Sequence, residues 1–284
     1  MKGELNDSPF VIFICMKELN KVYNEDCLVG MKDIPDKSID CIICDPPYGS
    51  TSCAWDVILP FDKLWEQYKR IIKPNGAILI FGQEPFSSFL RLSNLDWYKY
   101  DIYWQKERLT NIQQVKRRVG KDVETISVFY DKQCTYNPQM IKYDGPKRTN
   151  KIKDGKLGTL TDSANKKPFE YVDTGWRYPT QVWKYQRDIL TSNIHPTQKP
   201  LHLIEDLVKT YTNEGDVVLD NCAGSGTTMI ACINTNRNYI GFELDETYYN
   251  IISGERSRVC PDLSHGSPCH GRFRSRSSWP SGKG

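Results

Sequence analysis

The sequence predicts a doubly wound α/β fold, a mostly parallel sheet with helices on both faces, on three observations. Short apolar runs at residues 41–44, 77–81 and 217–219 break abruptly into loops, the pattern of strands buried on both faces. Between the first two, Phe61, Leu64, Trp65, Tyr68, Ile71 and Ile72 recur at helical spacing, so strand, helix and strand form a parallel crossover unit. Glu243 ends a further apolar run, 239–242, and follows Asp220 by 23 residues, where doubly wound folds grip ribose hydroxyls.

Residues 1–15 precede a second methionine, carry no recognisable chemistry and read as an N-terminal extension. Residues 21–28 read as a short strand ending in polar groups, then an amphipathic turn through Met31 and Ile34. Prolines cannot sit inside a buried strand, so the run 41–44 stops near Cys44 and Asp45-Pro46-Pro47-Tyr48 is a stiff loop. The helix from Phe61 ends at Pro74-Asn75-Gly76, ahead of the strand 77–81. Gly82 to Pro85 opens another helix, and 98–104 and 125–130 are the closing strands. Between those two, Lys116-Arg117-Arg118 lies beside Thr110-Asn111-Ile112-Gln113-Gln114; cations suit phosphates and amides suit base edges. From 133 to 187 periodicity is poor and Gly, Pro, Lys, Tyr and Thr are frequent, so this is an insert, which Tyr171, Trp176, Tyr178 and Trp183 are expected mostly to pack. Pro200 starts a helix over 201–210, a second runs over 227–234, and a third begins near Glu246. Aliphatic residues almost vanish after Gly254, so 255–284 is expected to be a disordered or non-native tail.

A chain of 284 residues with 39% hydrophobic and 12% aromatic residues can bury a substantial core. The formal net charge of +3 hides an asymmetry, because residues 99–200 hold 20 Lys+Arg against 11 Asp+Glu. A basic middle on an otherwise acidic chain points to a polyanion partner. Several of the ten cysteines (Cys41, Cys44, Cys222, Cys232) lie in apolar runs, where a thiol packs well, so the chain belongs in a reducing compartment. Cys41 and Cys44 have half a zinc spacing, but no second pair follows and a strand sends them to opposite faces, so no metal is expected. No run reaches the ~18 apolar residues of a membrane span, and residues 10–15 are too short for a secretory core. The expected location is the cytoplasm.

Two loops carry the chemistry. Asp45 offers acceptor oxygens, the Pro46 carbonyl lacks a ladder partner, and Tyr48 adds a flat face; together they suit a planar group bearing an amine, such as a nucleobase. Those four residues also make an ordinary Asp-Pro turn, so the second loop matters. In Asp220-Asn221-Cys222-Ala223-Gly224-Ser225-Gly226-Thr227-Thr228 the glycines permit positive φ and close approach, and a helix start aims amide donors at a ligand. It lacks the third glycine of the dinucleotide fingerprint and the Gly-Lys-Ser/Thr of a phosphate loop.

Asp45-Pro46-Pro47-Tyr48, then His195-Pro196-Thr197-Gln198-Lys199-Pro200, then Gly224-Ser225-Gly226 resemble, in that order, the beta class of DNA amino-methyltransferases, over about residues 17–254. The resemblance implies a seven-stranded methyltransferase sheet in circularly permuted order, with a catalytic half (16–132), a target-recognition insert (133–190) and a cofactor-binding half (191–254). It implies S-adenosylmethionine as cofactor and double-stranded DNA as partner, with methyl transfer to adenine N6 preferred over cytosine N4 because Asp-Pro-Pro-Tyr is commoner in the adenine enzymes. Asp45, Pro46, Pro47 and Tyr48 would be catalytic. Asp26, with Cys27 beside it, would contact the donor's adenine, although Asp26 equally suits a helix cap. Thr197 and Lys199 would lie near its methionine carboxylate, and Asp220, Cys222, Gly224, Ser225, Gly226, Thr227, Thr228 and Glu243 would complete the donor site. Lys116, Arg117 and Arg118 would hold DNA phosphates. A homodimer, a companion restriction endonuclease and a bacterial or phage host also fit the family. Three rivals stand beside it. A nicotinamide dehydrogenase would leave Asp45 to Tyr48 without a task; a protein-glutamine or RNA-amine methyltransferase usually has Asn before the prolines and its cofactor motif first; an idle DNA-binding module would bind without methylating.

Overall fold

The computed structural model describes residues 16–49, 56–146, 150–151, 170–171, 173–186 and 198–255. In chain order these form β1 (Lys21–Tyr23), α1 (Cys27–Gly30), β2 (Ile39–Cys44), α2 (Phe61–Ile71), β3 (Ile72–Gly82), α3 (Phe86–Ser93), β4 (Tyr98–Gln105), β5 (Val123–Phe129), β6 (Ile141–Lys142), β7 (Asn150–Lys151), β8 (Glu170–Tyr171), β9 (Trp176–Arg177), β10 (Val182–Lys184), α4 (Leu201–Tyr211), β11 (Val217–Asp220), α5 (Thr227–Asn234), β12 (Asn238–Phe242) and α6 (Glu246–Glu255). The main sheet has the order β1-β12-β11-β2-β3-β5-β4-β10, and β5 alone runs antiparallel to its neighbours. The extension, the proposed tail beyond Glu255, Thr197 and His195 lie outside the described residues.

Alternation along the strands splits the core in two. Cys41, Ile43, Leu79, Ile126, Val128 and Val218 face α4 and α5, while Ile42, Cys44, Ile78, Ile80 and Leu219 face α1, α2 and α3. Cys41 and Cys44 therefore lie in different cores, as a strand requires. Because α2 leaves β2 on one face and α5 leaves β11 on the other, a crevice opens where these two parallel strands adjoin, with Leu219 opposite Ile42. Open α/β sheets bind ligands at such a switch point.

Two expectations are corrected. The sheet has eight strands, not seven, because β10 adds parallel to the outer edge of β4 with Trp183 opposite Trp104. Three residues are too few to show periodicity, but they satisfy an edge that would otherwise expose its backbone. Pro74-Asn75-Gly76 is not a break before β3 but an interruption within it: β2 pairs Ile39 with Ile72 and Cys41 with Ala77, so residues 73–76 bulge out of register. The insert aromatics also divide. Trp183 packs against the core, whereas Trp176 and Tyr178 are exposed and the Tyr171 side chain lies outside the described residues.

Candidate active site

The loops after β2 and β11 line one cavity of about 910 Å³, to which Glu25, Asp26, Gln83, Glu124, Lys199 and Glu243 also contribute. The Asp45 loop forms one end. Tyr48 donates its hydroxyl to Asp45 Oδ1, and its ring leans on Phe86 with centroids 5.1 Å apart. Burial, then the neighbouring Asp45 charge, holds the phenol protonated far above its ordinary range. Among the described residues the Pro46 carbonyl accepts no hydrogen bond, so an acceptor beside Asp45 is available to a ligand.

The other end is built from backbone. Gly224 and Gly226 have φ of +53° and +79°, and a Cβ on Gly226 would meet Ile252 at 3.1 Å. Gly226 starts α5 in the left-handed conformation, which L side chains rarely adopt. Glu243 accepts from Gly224 N at 2.6 Å through Oε2 and from Asp245 N at 2.8 Å through Oε1, which fixes its carboxylate at the end of β12. Burial nevertheless raises its pKa above the ordinary glutamate value. Asp220 is pushed up to about 7, by burial first, with Asp45 and Glu243 adding to it against the Thr228 hydroxyl and the Cys222 amide. Ser225 and Thr227 hydroxyls meet at 3.0 Å, and Thr227 and Thr228 are buried at the start of α5.

Asp26 caps α1 by accepting from Leu28 N at 2.7 Å and also lines the cavity. Cys27 and Cys222 come together across the Asn221 amide, whose nitrogen lies 3.6 and 3.7 Å from their sulfurs. The Cys222 thiol, then burial, pushes Cys27 up, so this thiol stays protonated.

The sequence did not single out the buried ion cluster at the junction of the two ends. Lys199 donates to Asp45 Oδ2 and lies 3.5 Å from Glu124 Oε2, while Lys106 donates to Glu124 Oε1. Glu124, Lys106 and Lys199 are all less than a tenth exposed. Burial opposes the charge on Lys199, yet Asp45 and Glu124 outweigh it and raise its pKa; Lys199 and Lys106 likewise hold Glu124 down against burial. One signal was available: Glu124 occupies the inward phase of β5, in step with Ile126 and Val128. A carboxylate there must be paired.

Lys116, Arg117 and Arg118 are exposed on a loop closed at its neck by Thr110 N to Lys121 O (2.8 Å) and Lys121 N to Asn111 Oδ1 (2.7 Å). Lys121 reaches Gln83, so the loop is tied to a residue of the cavity wall. Asn111 is spent on that closure and is not free to read a base.

A family model described as DNA methylase matches residues 39–254. The chain belongs to the DNA methylase family. It is 29% identical over 250 residues to a protein named DNA adenine methyltransferase from Escherichia coli strain K12, covering 82% of this chain and 81% of that one. It is 30% identical over 285 residues to a type II methyltransferase, M.BglII, of Bacillus subtilis, covering 89% of this chain and 72% of that one. Among solved structures, the M1.HpyAVI complex with S-adenosylmethionine superposes with a TM-score of 0.56 at 27% identity, covering 83% of this chain and 98% of that one. The cytosine-N4-specific PvuII DNA methyltransferase gives 0.60 at 16% identity, over 88% and 89%, a likeness of fold. As a member of this family the chain is a DNA methyltransferase that uses S-adenosylmethionine. The cavity fits that donor: acidic groups suit a cationic molecule with ribose hydroxyls, and two positive-φ glycines let it approach the backbone. No described helix is long and apolar enough to cross a membrane.

Proposed function

We propose that the protein methylates the exocyclic N6 of an adenine in double-stranded DNA at a specific site, with residues 16–132 as catalytic half, 133–190 as target-recognition insert and 191–254 as donor-binding half. The observation that carries this reading is the pair of acceptors at one end of the cavity, the Asp45 carboxylate and the Pro46 carbonyl, which accepts no hydrogen bond among the described residues. S-adenosylmethionine, when bound, supplies an electrophilic methyl group, so the protein's own task is alignment and preparation of a nucleophile. An exocyclic amine is a poor nucleophile because its lone pair is delocalised into the ring. Two acceptors for its two protons favour a pyramidal nitrogen and draw a proton away as the N–C bond forms. The base must leave the stack to reach them, and Tyr48, backed by Phe86, offers it a face.

At the other end, Asp220 is assigned to the donor's ammonium, Glu243 to its ribose hydroxyls, and Asp26 and Cys27 to its adenine. Gly224 and Gly226, whose own amides are bonded to Glu243 and Ala223, supply close backbone approach, and the amides of Ser225, Thr227 and Thr228 at the start of α5 are the donors. Thr197 keeps its assignment to the donor's carboxylate by resemblance alone. Lys199 is assigned to Asp45, its bonded partner. Lys116, Arg117 and Arg118, on the loop that Lys121 ties to Gln83, are assigned to DNA phosphates. The preference for adenine is supported by Asp-Pro-Pro-Tyr and by the relative named for adenine. Sequencing DNA from cells expressing the protein, with detection of modified bases, tests it: N6-methyladenine at one recurrent site is expected. N4-methylcytosine would overturn the choice of base, and unmodified DNA from an active, folded protein would overturn the reading.

A further inference from the structure

In the free protein both oxygens of Asp45 are engaged, Oδ1 by the Tyr48 hydroxyl and Oδ2 by the Lys199 ammonium. An incoming amine must compete with that ammonium for the carboxylate. Glu124 Oε2, meanwhile, is buried and accepts no hydrogen bond among the described residues, although Lys199 Nζ is only 3.5 Å away. That separation is within ion-pair reach but long for an N–H···O bond, and buried acceptors are rarely left so. Lys106 pins the other oxygen, Oε1, and itself sits 4.8 Å over the Trp104 ring, so Glu124 cannot turn away. Lys199 lies 5.1 Å from the Phe81 ring, a smooth wall along which its head can shift.

We propose that Glu124 is a second seat for the Lys199 ammonium: when the target amine takes Asp45, Lys199 moves onto Glu124 Oε2, which makes Glu124 a positioning residue for methyl transfer. The move creates no charge, because Asp45, Glu124, Lys106 and Lys199 sum to zero before and after it, and a buried site does not tolerate a net charge cheaply. It also explains why a second carboxylate is buried behind the one that meets the base. The proposal rests on the assignment of Asp45 to the amine.

The experiment compares the parent with Glu124→Gln, Lys106→Met/Glu124→Gln and Asp45→Ala. DNA carries the site found by modified-base sequencing, with the target base either intact or lacking only its exocyclic amine. Two quantities are read: the single-turnover rate at saturating donor, and the ratio of affinities for the two duplexes in the presence of S-adenosylhomocysteine, which permits no transfer. Glu124→Gln is expected to slow transfer about tenfold to a hundredfold, the scale of a misplaced reacting group, and to erase the preference for the amine-bearing duplex while donor affinity stays at the parent's value. The double variant, which removes the uncompensated Lys106 charge, must remain equally slow. Recovery of the parental rate there would mean that Glu124 serves only to neutralise Lys106, and an unaltered duplex preference in Glu124→Gln would equally overturn the second seat. Parental transfer by Asp45→Ala would instead sink the assignment of Asp45 itself, whatever Glu124 does.

Discussion

The two loops that meet in the cavity leave neighbouring parallel strands at the same end of the sheet, yet they are built by opposite means. The loop after β2 is stiffened by two prolines and works through side chains, each held by a partner: Tyr48 on Asp45, and Asp45 on Lys199. The loop after β11 works through backbone, with left-handed Gly224 and Gly226 and a helix start behind them. On the proposed assignment the contrast follows from what each would hold. A reacting amine needs a few acceptors at fixed positions, whereas a large donor needs close approach along its length. Altering the first loop should therefore change the rate, and altering the second should change donor affinity.

The largest expected effect is on the rate. Asp45→Ala should slow single-turnover methylation by on the order of 10²–10⁴-fold, the scale of a lost general-base contact. Tyr48→Ala should lose about 1–3 kcal/mol of base stacking, read as weaker capture of the flipped base. Tyr48→Phe should capture the base nearly as the parent does, because the ring remains; the lost hydrogen bond to the Asp45 carboxylate, about 1.5–3 kcal/mol, falls on the positioning of Asp45. Equal losses in the two Tyr48 variants would mean that the hydroxyl, not the face, is what matters.

On the donor side, Gly226→Ala should cost about 1–2 kcal/mol for the left-handed conformation and weaken donor binding, with the rate at saturating donor preserved. Donor affinity should also depend on pH through Asp220. Its pKa of about 7 in the free protein lies above that of an unfolded aspartate, so the protonated form contributes stability that is full below the unfolded value and is lost as pH rises through about 7. A donor ammonium favours the ionised form, so binding should tighten by about fivefold from pH 6 to about 7.5, above which the donor's own amine deprotonates, and Asp220→Asn should flatten that rise. A flat profile in the parent would remove Asp220 from the ammonium site. The smallest effect belongs to the periphery: alanine at Lys116, Arg117 and Arg118 should reduce the salt slope of DNA binding by roughly 0.9 per lost phosphate contact and leave donor binding unchanged.

How legible each loop was follows from how local its determinants are. An apolar run, two prolines and an aromatic are contiguous, and so are a strand, two glycines and a helix start, which is why both loops, which line one cavity, stand out in the sequence. The Lys106–Glu124–Lys199 cluster is assembled from β5 and two segments distant from it in sequence, and only Glu124, in the inward phase of β5, differs in sequence from a surface charge. Lys199 was placed by resemblance toward the donor's carboxylate, while its bonded partner is Asp45, 154 residues away. Strand β10 escaped for a related reason: three residues carry no period, and only the open edge of β4 gives them their place.

The division of labour is tested most directly by donor titration of Asp45→Ala beside its transfer rate. The affinity is expected to stay within about twofold of the parent, well under the 1.4 kcal/mol of a tenfold change, while methylation falls by orders of magnitude. A joint collapse of donor affinity and rate, in a variant that melts like the parent, would contradict the separation of the two loops.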